Sequence, residues 1–97
     1  MSIIDWNSSA LEIKNKVRGL NPSPGARAEI NGNLYKIYFV DILESKSDKS
    51  SGEIICASNG RLEIACLDGS VIINEIQAPN AKKMPAADFL RGNKIWQ

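Results

Sequence analysis

The first regular pattern in the sequence is a stripe of apolar residues at helical spacing. The stripe consists of Ala10, Ile13, Val17 and Leu20, which recur every three or four positions. This spacing is typical of an amphipathic helix that packs one face against a core. Ser9 and Glu12 fit a capping box at its start, and Gly19 with the proline-rich run Asn21–Gly25 ends it. We therefore predict a helix over Ser9–Arg18.

Beyond residue 25 the apolar positions alternate with polar ones, which is the period of half-buried strands. The predicted strands are Ala26–Ile30, Leu34–Leu43, Glu53–Ala57, Arg61–Leu67 and Ser70–Gln77. The turn signals between them are Asn31-Gly32, the polar loop Glu44–Gly52, Asn59-Gly60 and Asp68-Gly69. In the fourth strand the parity predicts that Leu62, Ile64 and Cys66 face a core while the other side is exposed.

The last element is predicted to be a short helix. A loop over Pro79–Lys83 precedes it, Pro85 suits its first position, and the helix runs through Arg91 to a closing Gly92. Phe89 and Leu90 are its expected anchors. The fold class is therefore mainly β, a small closed or nearly closed barrel of antiparallel strands with a helix at each end, because closure removes exposed strand edges.

Composition limits the chemistry that this chain can perform alone. It has 97 residues, 43% of them hydrophobic, with a net charge of +1, which predicts one folded domain rather than a disordered chain. Without histidine it lacks the commonest metal ligand and general base. The carboxylates are scattered and the glycines form no phosphate loop. We therefore predict no catalytic, cofactor or metal site in this segment.

The two cysteines and the apolar runs indicate the compartment. Cys56 and Cys66 are too few for a disulfide framework or a zinc site, so we expect two buried thiols, with a bridge between them as the alternative. No apolar run reaches the roughly 20 residues of a membrane span, and Met1–Ala10 does not resemble a signal peptide. The expected compartment is the cytoplasm.

Charge is distributed unevenly along the chain. Residues 1–27 carry four basic and two acidic side chains, and residues 78–97 carry four and one. Residues 28–77 carry four basic side chains against eight acidic ones. If the basic terminal segments meet on the barrel, they form one positive surface that contacts phosphates, whereas a solvated basic face is the alternative. On the predicted helix Lys14 and Arg18 share a face, while Lys16 lies on the opposite flank.

The aromatic residues test the same hypothesis. Tyr35 and Phe39 have the parity of Ile37 and Tyr38 has the opposite parity, so at least one of these rings is expected to be exposed for stacking on a base. Packing inside the barrel is the alternative. Trp6 precedes the first helix and is expected to pack against it.

Five segments carry a resemblance to a known family: Ile4-Asp5-Trp6, Ser9 with Ala10 and Ile13, the run Arg18–Ala26, Lys82-Lys83-Met84 and Phe89-Leu90-Arg91-Gly92. Together they resemble the C-terminal domain of bacterial methionyl-tRNA formyltransferases. The resemblance covers nearly the whole chain, and the Arg-Gly-Leu-Asn-Pro-x-Pro-Gly-Ala run is its most specific part. Ser23 replaces the tryptophan that the family often has there, and Ala81 replaces the usual glycine before the lysines.

The resemblance implies an open Greek-key barrel similar to an OB-fold, of five to six antiparallel strands, spanning residues 1–97. It implies a preceding Rossmann-like catalytic domain of the same polypeptide, absent from this chain, which transfers a formyl group from 10-formyltetrahydrofolate to initiator methionyl-tRNA. The implied role of this segment is non-specific tRNA binding by basic residues. The candidates are Lys14, Arg18, Arg27, Lys82, Lys83, Arg91 and Lys94.

Two other hypotheses remain open at this point. One is a supporting domain of a sugar-nucleotide formyltransferase that touches no nucleic acid, and the other is a self-contained enzyme. Met1-Ser2 directly before Ile3 is consistent with a fragment of a longer protein, with a separate gene product as the alternative. We expect a monomer that does not associate with membranes.

Overall fold

The computed structural model describes residues 3–20, 25–30, 32–43, 49–58, 60–79 and 81–92. Within these ranges the elements are α1 (Ala10–Leu20), β1 (Ala26–Ile30), β2 (Asn33–Leu43), β3 (Ile54–Ser58), β4 (Arg61–Ala65), β5 (Ser70–Gln77), β6 (Met84–Pro85) and α2 (Ala86–Gly92). The mainly β prediction with a helix at each end is confirmed. The predicted residues Asn21, Asn31, Asn59 and the loop 44–48 lie outside the described part of the chain.

Helix α1 begins with the predicted capping box. The Glu12 N–H donates to Ser9 Oγ at 3.1 Å, and the Ser9 N–H donates to Glu12 Oε1 at 3.1 Å. A third cap comes from a distant part of the chain, because the Ala10 N–H donates to Asp68 Oδ1 at 2.9 Å. The helix continues past Arg18 through Gly19 to Leu20, two residues beyond the predicted end.

The strands form one antiparallel sheet in the order β1-β2-β5-β4-β3. β1 and β2 form a hairpin, while β3, β4 and β5 form a meander whose last strand returns beside β2, which is a Greek key. The sheet is open, with β1 and β3 at the ends of the strand order. This confirms the open Greek-key fold that the resemblance implied. Of the closed or nearly closed barrel that the strand pattern predicted, the closed form is wrong.

The register between β2 and β5 contains two compensating irregularities. Strand β2 has one extra residue, Tyr38, between the pairs Ile37↔Ile76 and Phe39↔Glu75. Strand β5 then has one extra residue, Asn74, before the next pair, Val40↔Ile73. Such bulges shift which face a side chain occupies. The predicted shared parity of Phe39 with Ile37 is therefore wrong: Ile37 is fully buried, whereas Phe39 is 51% exposed.

The core packs against one face of this sheet and takes residues from nearly every element. Ile13 and Val17 of α1 meet Ile37, Ile64 and Ile73, all at most 2% exposed, in one cluster. Strand β4 is buried on both faces, since Glu63 and Ala65 are covered as well, so the prediction that only one of its sides is buried is wrong. Phe89 of α2 adds an edge-to-face contact to the Tyr35 ring, with centroids 5.6 Å apart.

The C-terminal elements differ from the prediction at two places. Pro85 lies in the two-residue strand β6, opposite Glu75, and α2 begins one residue later at Ala86. Because β2 occupies one side of β5, β6 lies on the other side, beyond the first residue of β4. β4 ends at Ala65 rather than Leu67, because the Cys66 N–H turns to bond the Gly69 carbonyl at 2.9 Å.

The N-terminal segment, residues 3–8, connects the two sides of the open sheet. The Ile4 N–H donates to the Arg27 carbonyl of β1 at 2.6 Å, and the Leu67 N–H after β4 donates to the Ser8 carbonyl at 3.1 Å. Trp6 lies between them, with Nε1 donating to the Glu29 carbonyl at 3.2 Å. Its ring packs so closely on Gly52 that a methyl group there would come within 3.2 Å. Trp6 therefore contacts both sides of the sheet as well as the core that α1 covers.

Trp6→Ala is expected to lower the free energy of unfolding by about 2 kcal/mol, less than for a fully buried tryptophan because the ring is half-exposed. Trp6→Phe keeps most of the packing but loses the indole donor, and we expect a loss of about 1 kcal/mol. Urea unfolding followed by circular dichroism measures both values. Equal stabilities for wild type and Trp6→Ala would contradict the proposed role of this ring.

Candidate nucleic-acid interface

A row of polar side chains crosses the outer face of the sheet on three neighbouring strands. Arg27 of β1 pairs with Lys36 of β2, and Lys36 pairs with Gln77 of β5. Paired residues project from the same face of a sheet. All three are half-buried, and the neighbouring positions Ala26, Ile37 and Ile76 point into the core. The row therefore lies on the outer face where β1 begins and β5 ends.

Tyr38 and Lys83 extend this row. Lys83 Nζ lies over the Tyr38 ring, 4.9 Å from its centroid, and Tyr38 Oη donates to Gln77 Oε1 at 2.7 Å. Gln77 Nε2 in turn donates to the Ala81 carbonyl at 2.7 Å. Gln77 thus holds the segment before the lysine pair against the sheet. Because Tyr38 is only 9% exposed, its ring supports Lys83 rather than offering a face to a base.

A groove of about 360 Å³ lies beside the row. It is lined by Arg27, Leu34, Tyr35, Lys36, Gln77, Ala78 and Pro79. The Lys36 side chain lies against the backbone at Gly25, where a Cβ would come within 3.0 Å of its Cε. Gly25 also has a φ of 86°, so two constraints favour glycine there. No carboxylate lines this groove among the described residues.

The structure places the other predicted basic residues as follows. Arg18 is exposed and donates to Asn15 Oδ1 at 3.0 Å, in the last turn of α1. That turn ends close to β1, because the Gly25 N–H donates to the Leu20 carbonyl at 2.8 Å. Lys14 is half-exposed on α1, and Lys82 is exposed. Arg91 pairs with Asp88 at 3.1 Å on the surface of α2, and Lys94 lies outside the described residues.

The structure therefore brings Arg27 and Lys83 onto one outer surface and adds Lys36 and Gln77, which the sequence interpretation missed. It also adds Tyr38, which the sequence interpretation considered only as a ring for stacking. Lys36, Tyr38 and Gln77 complete this surface, which we call the basic row: Arg27, Lys36, Gln77, Tyr38 and Lys83. A signal for Lys36 was present, because the Asn31-Gly32 hairpin sets Lys36 opposite Arg27. Gln77 had no such signal.

The part of the chain that the structure describes offers few other groups for binding or catalysis. No group of three or more Cys, Asp or Glu side chains there is arranged to hold a metal ion. Glu63, buried on β4, accepts from Ser70 Oγ at 2.6 Å and pairs with Arg61 at 3.0 Å, so its charge is compensated locally. No described helix combines the length and apolarity needed to cross a bilayer.

Both cysteines are thiols, as predicted, but Cys56 is half-buried whereas Cys66 is buried as expected. Burial raises the pKa of the Cys66 thiol above its ordinary value. The carboxylate of Asp68 raises it further, while backbone N–H groups of Asp68 and Gly69 act in the opposite direction. The thiol donates weakly to Asp68 Oδ1 at 3.8 Å. Cys66 is thus a protonated packing residue at neutral pH.

Comparison with known proteins identifies relatives over nearly the whole chain. Residues 1–94 match the family model described as formyl transferase, C-terminal domain. A methionyl-tRNA formyltransferase of Clostridium tetani is 41% identical over 95 residues, 98% of this chain and 31% of the relative. One of Geotalea daltonii is 43% identical over 93 residues, 96% of this chain and 29% of the relative. The chain spans less than a third of the length of these relatives.

A solved structure supports the fold assignment. HypX from Aquifex aeolicus, in complex with tetrahydrofolic acid, superposes with a TM-score of 0.71 at 23% identity. The match covers 90% of this chain and 16% of HypX. At this identity the likeness shows a shared fold.

The pKa of Cys66 predicts a pH dependence of stability. Since its pKa in the folded state is raised, the unfolded chain ionises this thiol first as the pH rises. The stabilising contribution is complete below the unfolded-state pKa and is lost as the pH rises through the folded-state pKa. As the pH rises above about 8.5, the ordinary pKa of a cysteine thiol, the wild type should therefore lose more free energy of unfolding than Cys66→Ala under reducing conditions, measured by urea unfolding. Parallel pH curves for the two proteins would contradict this assignment.

Substitutions at Tyr38 separate its hydroxyl from its ring. Tyr38→Phe removes the donor to Gln77 but keeps the ring under Lys83, and we expect a loss of about 1 kcal/mol in urea unfolding. Tyr38→Leu also removes the ring and is expected to cost more. A Tyr38→Phe protein as stable as wild type would show that the Gln77 bond contributes nothing.

Proposed function

Because the chain belongs to the formyl transferase C-terminal domain family, we propose that it binds the phosphate backbone of tRNA as the C-terminal part of a methionyl-tRNA formyltransferase. The observation that carries the proposal is the basic row, which sets Arg27, Lys36 and Lys83 on one outer surface. A surface of this kind attracts nucleic acid without reading its sequence.

Local pairing of charges supports the choice of this surface. Among the described residues Arg61 pairs with Glu63 and Arg91 pairs with Asp88, whereas Arg27, Lys36 and Lys83 have no carboxylate partner there. Their charges are available to a polyanion, whereas the exposed Arg91 already shares its charge with Asp88. We therefore assign the largest contributions to Arg27, Lys36 and Lys83, with Arg18 and Lys82 as outer contacts. Lys14, Arg91 and Lys94 keep a smaller predicted share.

The chain's role in a longer protein is part of the same proposal. The relatives are named methionyl-tRNA formyltransferases and are more than three times as long as this chain. We propose that residues 1–97 follow a Rossmann-like catalytic domain, which transfers the formyl group of 10-formyltetrahydrofolate to initiator methionyl-tRNA in the cytoplasm. This chain, in our proposal, supplies no catalytic group and no cofactor site, acts as a monomer, and steers the tRNA by charge.

The proposal predicts tRNA binding that weakens steeply with salt. The logarithm of the association constant should fall linearly with the logarithm of the salt concentration, with a slope of about −0.7 to −0.9 for each phosphate contacted. Replacing Arg27, Lys36 or Lys83 singly by Gln should make this slope shallower by about one contact and weaken binding a few-fold. Fluorescence anisotropy with labelled bulk tRNA measures both quantities.

Lys16→Gln is the matched control for the tRNA titration. It removes the same charge from α1, where Lys16 donates to the Ile3 carbonyl at 3.0 Å, outside the basic row. Its slope should remain close to that of wild type. Absence of salt-dependent binding by the wild type would refute the proposal and favour a supporting domain that touches no nucleic acid. Equal effects of Lys16→Gln and the row substitutions would show that overall charge, not this surface, governs binding.

A further inference from the structure

Two cationic side chains, Arg27 and Lys36, line the groove beside the basic row, and no carboxylate lines it among the described residues. Arg27 and Lys36 are directly opposite in the β1–β2 ladder, where like charges repel and destabilise the pair. Both side chains are half-buried, which weakens solvent screening. Neither has a carboxylate partner among the described residues. An anion between them would relieve this repulsion.

The backbone holds one of these cations in place. The Lys36 side chain lies against Gly25, whose missing side chain leaves the space that the lysine stem occupies. The backbone of Arg27 is also held, because its carbonyl accepts from the Ile4 N–H at 2.6 Å and so anchors β1 at this position. A site with prearranged cations loses less conformational freedom when a ligand binds.

The groove is larger than an inorganic anion requires. Its volume of about 360 Å³ lies in the range of small-molecule sites. Besides the two cations and the Gln77 amide, its walls come from the aromatic residue Tyr35 and from the apolar residues Leu34, Ala78 and Pro79. A ligand that suits it combines a phosphate with a flat, largely apolar group.

We propose that this groove binds one nucleoside monophosphate unit of RNA, with the phosphate between Arg27 and Lys36 and the nucleoside against Leu34 and Pro79. This assignment rests on the proposed function, because the nucleoside monophosphate would belong to the tRNA that the chain binds. It goes beyond that function because it assigns a defined pocket, and Lys36 as a principal ligand, within an otherwise diffuse electrostatic surface.

The test titrates the wild-type chain with AMP, inorganic phosphate and adenosine separately, at millimolar concentrations, and follows backbone amide signals by NMR. AMP should shift the amides of Arg27, Lys36 and Gln77 and bind several-fold more tightly than phosphate. Adenosine should bind more weakly than AMP. Lys36→Gln should weaken AMP binding at least several-fold, Lys36→Arg should restore most of it, and Lys16→Gln should leave it unchanged.

Several outcomes would overturn this assignment. They are equal binding of AMP and adenosine, AMP shifts confined to other parts of the chain, or undiminished AMP binding by a folded Lys36→Gln variant. The tRNA titration separates the two proposals. Salt-dependent tRNA binding without AMP binding in the groove refutes the pocket alone, whereas AMP binding in a chain that does not bind tRNA refutes the proposed function and leaves the pocket as a nucleotide site.

Discussion

The contact of residues 3–8 with both sides of the open sheet is the constraint on which the rest of the structure depends. An open sheet leaves backbone donors and acceptors at its edges. Here Ile4 and Trp6 use carbonyl groups of β1, while Ser8 bonds the chain just after β4. The same contact also supports the candidate site through Arg27. The Arg27 carbonyl accepts from the Ile4 N–H, and the Arg27 side chain lines the groove.

Much of the fold was predictable because it depends on local signals. The capping box of Ser9 and Glu12, the exact limits of β1 and β5, and the β1–β2 hairpin all follow from neighbouring residues. What the sequence pattern missed depends on distant partners. The extra residue Tyr38 in β2 is offset by Asn74 in β5, so the exposure of Phe39 requires knowledge of which strands pair.

The same distinction applies to the candidate site. Charge counting along the chain selected Arg27 and Lys83 in the basic terminal segments but passed over Lys36, which belongs to the acidic middle segment. Three-dimensional pairing, not linear charge, puts Lys36 beside Arg27. Composition could not identify Gln77, because its role comes from two simultaneous hydrogen bonds. One joins it to Tyr38 and the other to the segment that carries Lys82 and Lys83.

The cap that Asp68 provides to α1 links an early part of the chain to a late one. The carboxylate and the Ala10 N–H are 58 residues apart in sequence. During synthesis the helix emerges first, and its N-terminus lacks this acceptor until the turn between β4 and β5 has formed. Completion of the first helix thus depends on the turn between the fourth and fifth strands. Contacts of such high sequence separation are slow to form, because the loop-closure entropy of the intervening chain must be overcome first.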